Sequence, residues 1–316
     1  MRLLLQGETG QFSLKNFRHD NIPPYAILSH TWFTVEEEPT YEDLINGTGK
    51  EKLGYQKILF CGEQARRDGL QYFWVDTCCI NKTNHAELQD AINSMFRWYR
   101  NATHCYVYLS DVSSPSLGTN DEFNPQSWDS EFWKSRWFTR GWTLQELLAP
   151  RSVEFFSLEC KLLGDKSSLK QQIQEITGIP ASVLQGDLSL QFNIEAPFLW
   201  MNRRQTTLAE DKVYSLLGIF DVKLSLSYGE GEVRARERLR DVISKRDKCV
   251  QELFPTDPRV DKKRIEDTKG GLLENSYCWR IRTAGFSKTL SLRNGAAPDR
   301  THFYGLKATL ARVRRC

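Results

Sequence analysis

Short apolar runs alternate with helical periods through the first half of the chain. Residues 25–29 (YAILS) form an apolar run of strand length. Residues 54–68 place Tyr55, Ile58, Leu59 and Ala65 on one helical face, and Gly69 closes it. Residues 71–76 (QYFWVD) are aromatic and β-branched in the manner of a strand. Asn84 followed by Glu87 signals a capping box, and the helix it opens over 86–100 carries Leu88, Ala91, Ile92, Met95, Phe96 and Tyr99 on one face. Further strands are predicted at 105–109 (CYVYL) and 153–157 (VEFFS), with a loop at 113–130 and a polar helix around 167–177 that Gly178 ends.

Strands alternating with helices predict an α/β fold, a parallel sheet with flanking helices. Ligands of such sheets bind beyond the carboxyl ends of the strands. The first strand runs out into Ser29, His30, Thr31 and Trp32, the second into Asp76, Thr77, Cys78 and Cys79, and the third into Ser110 and Asp111. Before the fourth comes SRWFTRGWTLQELLAP, residues 135–150. Thr143 with Glu146 reads there as a second capping box. Two indoles (Trp137, Trp142), the Arg140 guanidinium and the Glu146 carboxylate exceed what a helix start requires; they are the parts of a small-molecule pocket.

The residues alone leave each role open. Glu146 is a cap or a reactive carboxylate, and His30 a substrate donor or a loop fastening. Trp32 and Trp142 are stacking platforms or core, Asp76 is a site residue or a turn cap, and Arg140 is a phosphate clamp or an ion-pair partner. Cys78 and Cys79 near His30 lack a third orienting residue, which weighs against a cysteine nucleophile.

Residues 197–245 read as a helical extension. Thr207 with Glu210 is a third capping-box signal, Gly218 a C-cap, 228–232 (YGEGE) a turn, and 232–247 a highly charged helix. The glycine spacing matches no phosphate loop. Beyond Cys249 the patterning fades. Three units are expected: an α/β domain over 1–178, the helical extension over 179–248, and a poorly structured basic linker or tail over 249–316.

Composition narrows the class. Apolar residues make up 40% and aromatics 12%, enough for a sizeable core and against intrinsic disorder. No apolar run reaches the ~18 residues of a membrane span, and the three-Leu patch at the N-terminus is too short for a signal peptide, so a cytoplasmic protein is expected. The eight Cys show no CxxC spacing and no His beside a Cys pair, which predicts reduced, packed thiols and no metal site. Charge is uneven, with 22 Lys/Arg against 30 Asp/Glu in residues 1–233 and 21 against 10 in 234–316. The basic residues of the second segment stand singly, without regularly interleaved aromatics; a solvated linker is expected there rather than a nucleic-acid site.

YAILSHTW, YFWVDTCCIN, AINSMFRWY and SRWFTRGWTLQELLAP, in this order, resemble the fungal heterokaryon incompatibility (HET) domain. RRQTTLAEDKVYSLLGIFDV with YGEGE is similar to the extension of HET proteins that precede a NACHT NTPase module. The resemblance covers about residues 1–285. It implies a fold distantly related to TIR domains and a role in non-self recognition, a fungal form of innate immunity in which activation leads to programmed cell death. Self-association on activation is also implied. Through the TIR relationship it implies cleavage of NAD, as substrate and not as cofactor, or of a related nucleotide by a catalytic Glu. Glu146 matches that role, with His30, Trp32, Asp76, Arg140 and Trp142 binding substrate. A non-enzymatic death-signalling interaction module is the alternative.

Two positions depart from the family. Phe33 stands where the family usually places Gly after SHTW, and a Gly there would allow a tight turn or a close approach to a ligand. No P-loop follows the linker-like residues 256–279, as expected of a shortened or frame-altered form.

Overall fold

The computed structural model describes residues 1–7, 11–18, 20–114, 128–186, 194–253, 277–283 and 286–292. In chain order its first part holds β1 (Arg2–Gln6), β2 (Phe12–Asn16), β3 (Tyr25–His30), α1 (Tyr41–Asn46), α2 (Tyr55–Arg67), β4 (Tyr72–Trp74), α3 (Asp76–Cys79), α4 (His85–Asn101) and β5 (His104–Tyr108). There follow α5 (Asp129–Lys134), α6 (Thr143–Leu148), β6 (Val153–Phe156), β7 (Leu162–Asp165), α7 (Lys170–Thr177) and α8 (Ala181–Leu184). The extension contributes α9 (Ala196–Asn202), α10 (Asp211–Tyr214) and α11 (Glu232–Leu253). In the region expected to lack structure, β8 (Tyr277–Thr283) and β9 (Phe286–Leu292) pair as an antiparallel hairpin.

Seven strands form one sheet in the order β2-β1-β4-β3-β5-β6-β7. Its centre, β4-β3-β5-β6, is parallel, as the strand–helix alternation predicts. The sheet as a whole is mixed, because β1, β2 and β7 pair antiparallel at its two edges. These three strands escape sequence reading for a physical reason. β1 has only two fully buried residues, and β7 has none, so neither shows the long apolar run of a central strand. By contrast every residue of β3 is buried.

Helices cover both faces, and adjacent strand residues show which helix takes which face. Phe73 approaches Gly62 of α2, while its neighbour Trp74 packs on Trp98 and Tyr99 of α4. Phe60 of α2 meets Tyr106, Tyr108 and Phe156, while Phe155 faces Trp137 and Phe132 on the other side. This is the two-residue alternation of a pleated strand.

The extension joins the same core. Val213, Leu216 and Leu217, with Ala235, Leu239 and Ile243 of α11, are buried in one cluster with the sheet residues. Gly218 does not act as a C-cap. A Cβ there would lie 1.9 Å from Cβ of Phe96, so glycine is present because α4 and the extension touch backbone to side chain. The thiols of Cys61, Cys78, Cys79, Cys105 and Cys160 are free, as expected, but Cys249 is joined in a disulfide.

Candidate active site at the strand rim

The carboxyl end of β3 carries two hydrogen-bonded groups on its two faces. Ser29 points to the side of α4 and α6. Its hydroxyl donates to Glu146 Oε2 at 2.5 Å and accepts from Trp137 Nε1 at 2.8 Å. Glu146 is only 6% exposed, and the Tyr99 phenol, which donates to Leu28 O at 2.9 Å, is near enough to favour the ionised form of the carboxyl group. Burial pushes the Glu146 pKa up to about 8; the Ser29 hydrogen bond pulls against this, and the nearby Asp76 charge adds to it. The group is therefore mostly protonated at neutral pH and can become a carboxylate with a small change in surroundings.

Glu146 is not a helix cap. Trp142 stands at the N-cap of α6 and makes no side-chain cap bond. The Thr143 hydroxyl lies 2.6 Å from Trp137 O and 2.8 Å from Arg140 O, so it ties the preceding turn instead. The six-residue helix is buried along its whole length, and packing rather than capping orients its carboxyl group.

One residue on, His30 belongs to the other face. Its Nε2 lies 3.0 Å from Asp76 Oδ1, and Trp32 Nε1 donates to Asp76 Oδ2 at 3.0 Å. Burial alone would raise the Asp76 pKa, but His30, Lys82 and Trp32 outweigh it and hold the carboxylate below its ordinary value. The Lys82 ammonium sits 3.7 Å from the centroid of the Trp32 ring, so one face of this 39% exposed indole is occupied and its other face is the one left to a ligand. His30 Nδ1 is buried without a partner.

The structure thus unites His30, Trp32 and Asp76 directly and joins Glu146 to the same strand end through Ser29. Arg140 and Trp142 lie farther along the rim. Arg140, half-buried, has the Thr207 hydroxyl at 3.4 Å, and Trp142 lies near enough to Asp211 to favour its ionised form. Both therefore contact the extension.

Phe33 fits without backbone strain. Its φ is not positive, its N–H donates to Glu38 Oε1 at 2.8 Å, and its ring lies 3.7 Å from the Lys57 ammonium. Lys57 is buried and bonds both Glu38 Oε1 at 2.5 Å and Thr31 O at 2.9 Å. This ion pair under the rim loop is invisible in the sequence because its partners are nineteen residues apart.

Ser29, which bonds Glu146, and Tyr99 and Arg204, whose groups act on its charge, were missed. Ser29 had a signal, a lone hydroxyl inside an otherwise apolar strand. Tyr99 read as core, and Arg204 lies 58 residues after Glu146 in a segment of mixed polarity.

At the opposite end of the sheet, Asp68, His104 and Glu154 bring possible metal-ligand atoms within 4.8 Å of one another. They are already paired, His104 with Glu154 at 2.7 Å and Asp68 with the Tyr106 hydroxyl at 2.5 Å.

Residues 25–125 match the family described as Heterokaryon incompatibility protein (HET). The chain carries a HET domain. It is also 54% identical over 289 residues to the Vegetative incompatibility protein HET-E-1 of Podospora anserina. That alignment takes in 91% of this chain but only 21% of the relative, so the chain spans about a fifth of that protein's length. No solved structure matches it. The matched HET segment contains β3, α4 and β5, and hence His30, Trp32, Asp76 and Tyr99; Glu146 and Arg204 lie beyond it but within the stretch expected to be shared with HET-E-1-like chains.

Proposed function

We propose that this HET domain is an effector of heterokaryon incompatibility that brings about cell death by hydrolysing the nicotinamide–ribose bond of NAD or a related nucleotide. One observation carries the reading: Glu146 is a buried carboxyl group with a pKa of about 8, held by Ser29 at the carboxyl end of the central strand. Positive charge develops on the ribose as the bond to nicotinamide breaks, and a carboxylate opposite it stabilises the resulting oxocarbenium ion until water attacks. The cationic nicotinamide ring favours ionisation of Glu146 as it enters, so burial costs least when the charge is needed. Trp32 and Trp142 would offer ring faces, while His30 and Asp76 would orient the sugar. Self-association on activation and a cytoplasmic site of action belong to the same proposal. Among the described residues no helix is long and apolar enough to cross a membrane.

A second reading has its own observation. Glu146 is already hydrogen-bonded by Ser29, as a purely structural carboxyl group would be, and the rim would then bind another protein without chemistry. Nicotinamide release from NAD, followed over a range of protein concentrations, separates the two. Release that Glu146→Gln abolishes while the fold persists supports the hydrolase. Absence of release at every concentration, with killing retained in cells, selects the interaction module.

A further inference from the structure

We infer that Arg204 is the receptor for a phosphate-class oxyanion at the seam between the extension and the Glu146 segment. Arg204 is 2% exposed. Its Nη1 donates to Arg140 O at 2.9 Å and to Thr143 Oγ1 at 2.7 Å, whereas Nη2 is buried with no partner. No carboxylate of the described residues forms an ion pair with it. A buried guanidinium nitrogen left without an acceptor is costly, and an anion is a group that would satisfy it. Glu146 does not fill the role. It is close enough that each group favours the charged form of the other, yet it makes no hydrogen bond to Arg204 and leaves Nη2 without an acceptor.

The seam is built to hold this geometry. Gln205 N donates to Thr139 O at 2.6 Å, and Gly141 N donates to Gln205 O at 2.9 Å. A Cβ on Gly141 would lie 2.3 Å from Thr206 Cγ2, so the two segments meet only because residue 141 is glycine. Arg203 and Gln205, on either side of Arg204 along the chain, are exposed. The Arg140 guanidinium turns to the Thr207 hydroxyl at 3.4 Å, so Arg140 meets Arg204 through its backbone carbonyl. A planar guanidinium fork fits the oxygens of a phosphate or diphosphate. The source is either a nucleotide of the kind proposed above or a free phosphate species. The anion site rests on that functional reading only for its nucleotide source and does not require bond cleavage.

Titration calorimetry of the full chain with inorganic pyrophosphate and, separately, with ADP tests the inference. Saturable binding of at least one probe is expected, weakened tenfold or more in Arg204→Gln and kept in the exposed control Arg67→Gln. Binding of ADP alone identifies a nucleotide source, and binding of pyrophosphate alone a free phosphate source. Near-UV circular dichroism and melting without ligand establish whether Arg204→Gln folds. If it does not, Arg204→Lys keeps the charge but loses the planar fork, and several-fold weaker binding is expected. Failure of the wild type to bind either probe overturns the inference, as does wild-type affinity in the folded Arg204→Gln or Arg204→Lys protein. Anion binding without nicotinamide release would instead overturn the hydrolase reading alone.

Discussion

At the scale of single residues, Glu146 ties stability to pH in a way that can be measured without knowing the substrate. Its folded pKa of about 8 lies above the ordinary carboxyl value of 4.5, so the folded state holds the proton more tightly than the unfolded chain. The resulting stability is fully present below the unfolded pKa and is lost as pH rises toward 8, at up to about 1.4 kcal/mol per pH unit. Urea unfolding of the wild type should show this decline between roughly pH 5 and 8, and Glu146→Gln should flatten it. Equal slopes in the two proteins would mean that the carboxyl group is not held protonated. For activity the sign is reversed: if the carboxylate is the working form, nicotinamide release rises with pH up to about 8. The Lys57–Glu38 pair makes a second prediction. Lys57→Met leaves Glu38 buried without a counter-charge and should cost roughly 3–5 kcal/mol in urea unfolding, part of it recovered in the double variant with Glu38→Gln.

At the scale of elements, the strongly periodic segments were legible and the short ones were not. α2 and α4 fall within a residue or two of their expected limits, because each runs for at least thirteen residues with an apolar face against the sheet. The capping signals fared unevenly. Asn84 Oδ1 does accept from Glu87 N at 3.2 Å, while Glu87 Oε1 turns to Asn81 N at 2.8 Å. Neither Thr143–Glu146 nor Thr207–Glu210 forms a box. Glu210 Oε1 instead accepts from Gly229 N and Gly231 N at 2.7 and 2.8 Å, fastening the YGEGE turn. Tertiary contacts decided these helices, since elements of four to six residues are too short to stand on their own caps. Packing also explains Gly218, and Gly218→Ala should destabilise the protein by roughly 1–3 kcal/mol or more by driving α4 and the extension apart. A melting temperature unchanged in that variant would show that the contact yields freely.

Across the whole molecule, the extension and the α/β sheet share one buried cluster, and Arg204 carries the extension to the edge of the candidate site. A chain ending at residue 178 would expose the faces that α10 and α11 cover. It is expected to lose near-UV circular dichroism while keeping much of its far-UV signal. A cooperatively melting fragment with intact near-UV signal would make the sheet an independent domain. The seam also predicts that Glu146 chemistry and the extension are lost together rather than separately.

Local patterning by itself determined the α/β class, the parallel central strands, the two long helices and the rim on which His30, Trp32 and Asp76 meet. Those features follow from side-chain period and strand order, which are written along the chain. The tertiary structure decided what Glu146 does. Whether a carboxyl group caps a helix or sits protonated in a core depends on groups far away in sequence: Ser29 to bond it, with Tyr99 and Arg204 beside it. No local pattern records desolvation, because burial is a property of everything packed around a group and not of its neighbours in the chain.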